Sequence, residues 1–183
     1  MTESRFRLIP SPVGDVLVVA ALADPGLSDA DAGIITAHPL HASVERELER
    51  LAHTLGRTPV EDDDIAPEAA AQLDEYFAGT RTRFDLRLDW RFVRGFTRTA
   101  LEAVCEIPYG ETAGYGEVAI AAGSPRAARA VGTACANTPF SIVVPVHRVI
   151  RADGSLGEYG GRPDVKRFLL DLETAGARRG AGE

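Results

Sequence analysis

The apolar run Ile142-Val143-Val144-Pro145-Val146-His147-Arg148-Val149-Ile150 sets an imidazole beside a guanidinium. A strand buried in a core needs neither group, so the pair points to a site. Histidine titrates near neutral pH and is suited to take a proton from a neighbouring nucleophile. The side chain next to it, however, is Val146, which has no lone pair, no proton to lose and no means of holding a transferred group. Thiols are the other chemistry-bearing groups. Cys105 and Cys135 are too few and too far apart for a disulfide framework or a zinc knuckle, which makes cytoplasmic residence the expectation. A free thiol has a pKa of about 8.5 and needs an adjacent base to be reactive at neutral pH.

These groups require a scaffold, and 183 residues suffice for one full core or two small ones. Hydrophobic content of 45% with 26% charged residues is that of a water-soluble globular chain. No stretch has the length of a membrane span, and MTESRFRLIP lacks the apolar run of a secretory signal. Net charge is −7, which by itself argues against nucleic acid. The charge is unevenly placed: residues 1–90 hold 8 Lys+Arg against 17 Asp+Glu, and residues 91–183 hold 12 against 10. The second half can therefore approach phosphates without strong repulsion.

In the first half, Phe6–Pro10 and Asp15–Ala20 flank a Pro/Gly turn and predict a hairpin. Ala21–Gly33 reads as a loop. Val44, Leu48, Leu51 and Leu55 fall at helical intervals, and a second helix is predicted from Pro67 to Phe77. Phe84–Asp89 alternates like a strand. Asp89–Gly95 marks the expected domain boundary. Beyond it helices are predicted over Phe96–Ile107, Thr112–Ala122 and Arg126–Ala136, the last with Ser124 as N-cap and Pro125 at its first position. The apolar run is predicted as a strand, followed by a Gly-rich loop and a last helix over Asp164–Glu173. The fold class expected is α/β (α+β): a small sheet-plus-helix domain over 1–90, a mostly helical domain over 91–173 with a winged helix-turn-helix-like element, and a disordered tail over 174–183.

In this order, SPVGDVLVVA, LDEYFAGTRTRFDLRLD, IPYGETAGYGEVA, SPRAARAVG, PVHRVI and EYGG…KRFLLDLE resemble the O6-alkylguanine-DNA alkyltransferases. Proteins of that family move an alkyl group from guanine onto their own cysteine. The resemblance covers most of the chain and implies a monomer that acts on double-stranded DNA without metal or organic cofactor. The family's Pro-Cys-His-Arg motif implies that Val146 stands at the nucleophile position, with His147 as the base and Glu173 as its orienting carboxylate, both vestigial without the thiol. It implies an Arg129 that fills the vacated base stack from a helix lying in the minor groove. Tyr115 would press on the phosphate of the flipped nucleotide. Ser124 belongs to the same interface, and Ala127, Ala128 and Gly132 give the helix a slim face for close approach. The lesion pocket implied comprises Cys135, Thr138, Val149, Glu158, Tyr159 and Gly160. Thr138 takes the place of the family's hinge asparagine, with Asn137 one residue earlier, and Glu158 stands where a small or neutral residue is usual.

Taken singly, Arg129 reads as a solvated helix charge, Tyr115 as a half-buried aromatic, Cys105 and Cys135 as core or pocket-wall thiols, and His147–Glu173 as a satisfied buried pair. Taken together, the expectation is a protein that binds and flips O6-alkylguanine without alkyl transfer, as in alkyltransferase-like proteins, and that flags the site for excision-repair proteins. The alternatives are a methyltransferase using Cys135, an ordinary transferase in which Val146 is an engineered change, and a pseudo-enzyme serving as a protein-interaction module.

Overall fold

The computed structural model describes residues 3–22 and 33–180. The chain forms two compact units, Met1–Asp89 and Trp90–Glu183.

In the first unit, β1 (Ser4–Ile9) and β2 (Val16–Ala21) form the expected antiparallel hairpin, with Phe6 opposite Val19 and Leu8 opposite Leu17. The sheet order is β3-β2-β1-β4, with β3 (Ile34–Pro39) antiparallel to β2 and the short β4 (Val60–Glu61) parallel to β1. β3 has no counterpart among the elements expected from sequence. Of the expected loop over Ala21–Gly33, residues 23–32 lie outside the described residues, and Ala21 belongs to β2. Helix α1 (Val44–Leu55) has the predicted bounds; Ser43 Oγ accepts from Arg46 N, and Gly56 closes it at φ 74°. Its apolar stripe packs on Phe6, Leu17, Val19 and Ile35. Helix α2 (Pro67–Phe77) also has the predicted bounds and buries Ala69, Leu73 and Tyr76. The strand expected over Phe84–Asp89 does not form. The Gln72 amide occupies the Asp85 backbone on both sides, at 2.8 Å to its carbonyl and 2.7 Å from its N–H, leaving a single bridge from Leu88 to Ile34.

The second unit is mostly helical: α3 (Gly95–Cys105), α4 (Tyr115–Ala121), α5 (Ala128–Ala136) and α6 (Pro163–Gly180). Leu101, Val104, Val118, Ala119, Val131 and Ala134 are buried between the first three. Helix α3 stops short of Ile107 because Pro108 disfavours helical backbone in the residue before it. Helix α4 starts at Tyr115, not Thr112, because Ala113–Gly114 (β5) pairs in parallel with Val149–Ile150 (β6). Helix α5 starts at Ala128, not Arg126. Ser124 caps nothing with its side chain; its carbonyl instead accepts from Ala127 N at 2.9 Å and closes a turn before the helix. Helix α6 continues past Glu173 into the stretch expected to be a disordered tail. Gly176 and Ala177 lie tight against Tyr109 and Gly110, so that side of the added turns is covered by protein. Cys105, expected in the core, is exposed, because it is the last residue of α3 and points away from the Ala100–Leu101–Val104 stripe. Among the described residues no helix is long and apolar enough to cross a membrane, and no group of three His, Cys, Asp or Glu could hold a metal ion.

Candidate DNA-lesion site

The run expected as a strand is instead a sequence of tight turns. Val144 N donates to Phe140 O at 2.7 Å, with Ile142 held at φ 81°. A β-branched residue in the left-handed region costs on the order of 1–3 kcal/mol and needs its surroundings to hold it there; here Ile142 is buried, as are Phe140 and Val144. Pro145, at φ −80° and ψ 58°, is the centre of an inverse γ-turn closed by Val146 N to Val144 O at 2.8 Å. A 3-10 turn over Val146–Arg148 follows, and only Val149–Ile150 remain extended. Alternating hydrophobicity cannot distinguish such a buried turn from a buried strand.

This geometry turns His147 and Arg148 inward onto Glu173 of α6. Glu173 Oε1 lies 2.7 Å from His147 Nε2 and accepts from Arg148 Nη2 at 3.0 Å. Its Oε2 accepts from Arg148 Nε at 2.9 Å and from Gly110 N at 3.1 Å. Arg148 Nη1 also donates to Ile107 O at 2.6 Å. His147 and Glu173 are fully buried. Burial pushes the Glu173 carboxyl up, but the His147 hydrogen bond and the Arg148 pair outweigh it and hold the group at about 2. Burial pushes His147 down, so the ring is neutral at pH 7. Because an ionised carboxylate only accepts, the proton belongs on His147 Nε2, leaving Nδ1 as the basic nitrogen. Val146, buried beside it, offers hydrocarbon.

A second group forms around Val149. Lys166 is fully buried and donates from Nζ to Val149 O at 2.6 Å; burial pushes its amine down to about 8. Through the β5–β6 pairing, Val149 and Ile150 run beside Ala113 and Gly114, which places Tyr115 next to the turn. The ring of Tyr115 lies against α5, where a Cβ on Gly132 would stand 3.8 Å from it. Burial raises the Tyr115 hydroxyl, and the nearby Cys135 and Glu158 add to that. Cys135 is half-buried; burial pushes its thiol up to about 12, against the pull of the Lys166 charge. Tyr159 is buried and its hydroxyl is raised by burial. Thr138 is buried with its hydroxyl accepting from Phe140 N at 3.2 Å, whereas Asn137 Nδ2 donates back to Thr133 O at 2.9 Å. The turn leading to Val146 is thus tied by Thr138, and Asn137 serves the end of α5.

Arg129 is exposed on α5, Ala127 and Ala128 are half-buried, and Glu158 and Gly160 are exposed on the loop before α6. The structure therefore sets Val146 beside the hydrogen-bonded network of His147, Arg148 and Glu173, and brings Tyr115, Gly132, Cys135 and Val149 together as a second group of neighbours. Arg129 and Ser124 lie outside both. A cavity of about 620 Å³ in the first unit, lined by Asp62, Asp64, Glu68 and Asp85 among others, contains none of the expected residues. Sequence reasoning missed Lys166 and the structural part of Arg148. The signal for Lys166 was its position seven residues before Glu173, on the α6 stripe that also carries Leu169: charged groups among apolar ones.

Fold and buried network define an alkylguanine-repair type of domain, and comparison with known proteins agrees. Residues 95–175 match the model described as "6-O-methylguanine DNA methyltransferase, DNA binding domain". The chain is 46% identical over 176 residues to the methylated-DNA–protein-cysteine methyltransferase of Mycobacterium bovis, covering 94% of each. It is 45% identical over 119 residues to that of Methanosarcina barkeri, covering 65% of this chain and 75% of the relative. The crystal structure of the Mycobacterium tuberculosis O6-methylguanine methyltransferase superposes with a TM-score of 0.76 at 37% identity, over 94% of this chain and 93% of that one. The Mycobacterium tuberculosis protein crystallised in complex with DNA superposes at 0.74, over 94% of both. The chain belongs to the 6-O-methylguanine DNA methyltransferase family.

Proposed function

We propose that this protein binds double-stranded DNA through the minor groove, turns an O6-alkylguanine out of the stack into the pocket beside Val146, and holds it without accepting the alkyl group. The observation that carries the reading is the buried hydrocarbon of Val146 beside an otherwise assembled His147–Glu173–Arg148 network. Transfer requires a thiolate to attack the alkyl carbon while the bond to guanine O6 breaks, and valine cannot form the new bond. Arg129, exposed on α5, fills the vacated stack; Tyr115 holds the flipped nucleotide; Ser124, Ala127, Ala128 and Gly132 form the face that meets the backbone. Unstacking costs a few kcal/mol, so Arg129→Ala should lower lesion affinity on the order of tenfold or more. The held lesion then marks the site for excision-repair proteins.

A second reading rests on Cys135, which shares surroundings with Tyr115 and Lys166. Burial keeps that thiol protonated, but the neighbouring Lys166 charge pulls in the opposite direction, towards the thiolate. One experiment separates the two. The protein is incubated with a duplex carrying O6-[³H-methyl]guanine, and retention on DNA and label on protein are both measured. Retention on the lesion duplex without label supports the proposal. Label that disappears in Cys135→Ser assigns transfer to Cys135, and the absence of both retention and label leaves a protein-interaction module.

A further inference from the structure

The loop after β6 carries an arginine that forms no ion pair with any described carboxylate. Arg98 is paired with Glu102 at 2.8 Å and Arg162 with Asp164 at 2.9 Å, whereas the exposed guanidinium of Arg151 forms no hydrogen bond or ion pair with any described residue. Its root is nonetheless fixed. Arg151 N donates to Ser155 O at 2.9 Å, Gly154 N donates to Arg151 O at 2.9 Å, and Asp153 Oδ1 accepts from Ser155 N at 2.9 Å. This closed turn aims the side chain along the backbone at Gly157.

Gly157 is where Arg151 meets Tyr115. Its φ is +69°, and a Cβ there would lie 3.2 Å from the Tyr115 hydroxyl and 3.6 Å from both Cγ and Nε of Arg151. The two donors therefore stand no more than about 7 Å apart, separated by the space of a side chain that glycine lacks. Charge-assisted hydrogen bonds of about 2.8 Å on either side of one phosphate span a gap of that size. The Arg151 charge is felt at the phenol, pulling it down against burial, the largest influence, and against Cys135 and Glu158. Asp153 and Glu158 are the nearby acids, both exposed on the same loop and outside ion-pair distance of Arg151, although the Arg151 charge is felt at Asp153.

We infer that Arg151 and the Tyr115 hydroxyl form a two-point clamp on a single phosphodiester of the strand bearing the extrahelical nucleotide, and that Gly157 keeps the clamp open. The inference rests on the DNA-binding reading above and adds to it a positioning residue and the group it holds. A solvated loop arginine would give no such pairing with a specific phosphate, and that difference can be measured.

The test uses the full chain and an O6-methylguanine duplex, with affinity measured by fluorescence anisotropy from 50 to 300 mM KCl. Arg151→Ala is compared with wild type on the normal duplex and on duplexes in which each phosphodiester around the lesion is replaced in turn by an uncharged methylphosphonate. The expected result is a loss on the order of tenfold on the normal duplex, as for a charge-assisted hydrogen bond. The slope of log K against log[salt] should become shallower by about one. One methylphosphonate position should weaken wild type by a similar factor and abolish the effect of Arg151→Ala, and Tyr115→Phe should be silenced at that same position. Unchanged affinity and slope in Arg151→Ala, or an effect that survives every methylphosphonate, overturns the clamp. Arg151 is exposed, so its variant should melt with wild type; a lower melting point together with a uniform loss on all duplexes also overturns it. If wild type shows no preference for lesion over undamaged duplex while the Arg151 signature remains, the lesion reading fails and the clamp stands.

Discussion

Replacing Glu173 by glutamine removes one charge and keeps the shape of the side chain. In the native protein its two oxygens meet four donors: Gly110 N, His147 Nε2, and Nε and Nη2 of Arg148. Glutamine has one acceptor oxygen, and its amide group would face donors instead of accepting from them. The buried Arg148 guanidinium then loses its counter-charge, which typically costs about 3–5 kcal/mol. The carboxyl's own titration gives a similar figure. Held at about 2 instead of its ordinary 4.5, at 1.36 kcal/mol per pH unit it contributes about 3 kcal/mol. For a chain of this length each kcal/mol moves the melting temperature by roughly 2–4 °C, so Glu173→Gln should melt about 6–20 °C below wild type at pH 7. The sign of the pH dependence follows from the lowered value. The Glu173 contribution is fully present above pH 4.5 and is lost as pH falls towards 2, so the gap between variant and wild type should close in acid. Scanning calorimetry at pH 7, 4 and 3 measures this. The double variant Glu173→Gln/Arg148→Met, which no longer buries a lone charge, should melt above Glu173→Gln alone. A single variant within 2 °C of wild type, or a double variant that shows the summed loss, would refute the reasoning.

Burial lowers both His38 and His147 below the ordinary 6.5, so the unfolded chain takes up protons that the native one refuses as pH falls below that value. Urea midpoints should decline from pH 7 to 5, and His38→Gln should flatten part of that decline; a pH-independent midpoint would contradict the assignment. Gly110→Ala should destabilise by about 1–3 kcal/mol. Gly110 has φ +80°, and a Cβ there would lie 2.7 Å from Ala177 Cβ, so calorimetry and amide exchange in the last turns of α6 should both report the change. Iodoacetamide at pH 7.5 should modify the exposed Cys105 before Cys135, whose thiol burial pushes up to about 12. Peptide mass spectrometry giving the reverse order would show that Cys135 is open and reactive.

Where one periodicity ran through a whole element, the sequence predicted it well. The stripe of Val44, Leu48, Leu51 and Leu55 marks α1, and Pro67 with the following stripe marks α2, each with the bounds seen in the structure. Where a long-range bond decides, it misled. Phe84–Asp89 alternates like a strand, but the Gln72 amide takes the hydrogen bonds of Asp85. Thr112–Gly114 fits a helix start, but its last two residues pair with β6, far along the chain. The run Ile142–Ile150 is apolar enough for a strand, and only the strained Ile142 and the γ-turn at Pro145 show why it is not one. For the site, the motif letters located His147 and Glu173. They did not indicate that Arg148 donates more hydrogen bonds to Glu173 than His147 does, nor that Lys166 is buried against Val149.

A reader of the motif alone would take His147 and Glu173 as the mark of an active protein. Their geometry gives them a second occupation, because Glu173 ties α6 to the Pro108–Gly110 turn through Gly110 N, and to the Val146 turn through His147 and Arg148. Losing any of these partners leaves a buried charge or donor unsatisfied, at a cost of a few kcal/mol out of the 5–15 that hold a typical domain together. The network therefore contributes to stability whether residue 146 is a nucleophile or not, and its presence is weak testimony for catalysis. Exposed groups carry the opposite weight. Arg129 and Arg151 are solvent-facing and neither side chain forms an ion pair with a carboxylate among the described residues, and Gly157 keeps clear the space beside the Tyr115 hydroxyl, where a Cβ would stand 3.2 Å away. Surface substitutions away from such features change stability by no more than about 0.5 kcal/mol, so the fold does not need these side chains. If Arg129→Ala and Arg151→Ala melt with wild type and lose lesion binding, while Val146→Cys restores alkyl transfer onto residue 146, binding and chemistry will have been separated within one domain. Failure of Val146→Cys to become labelled, with binding intact, would mean that more than the sulfur is missing from the pocket.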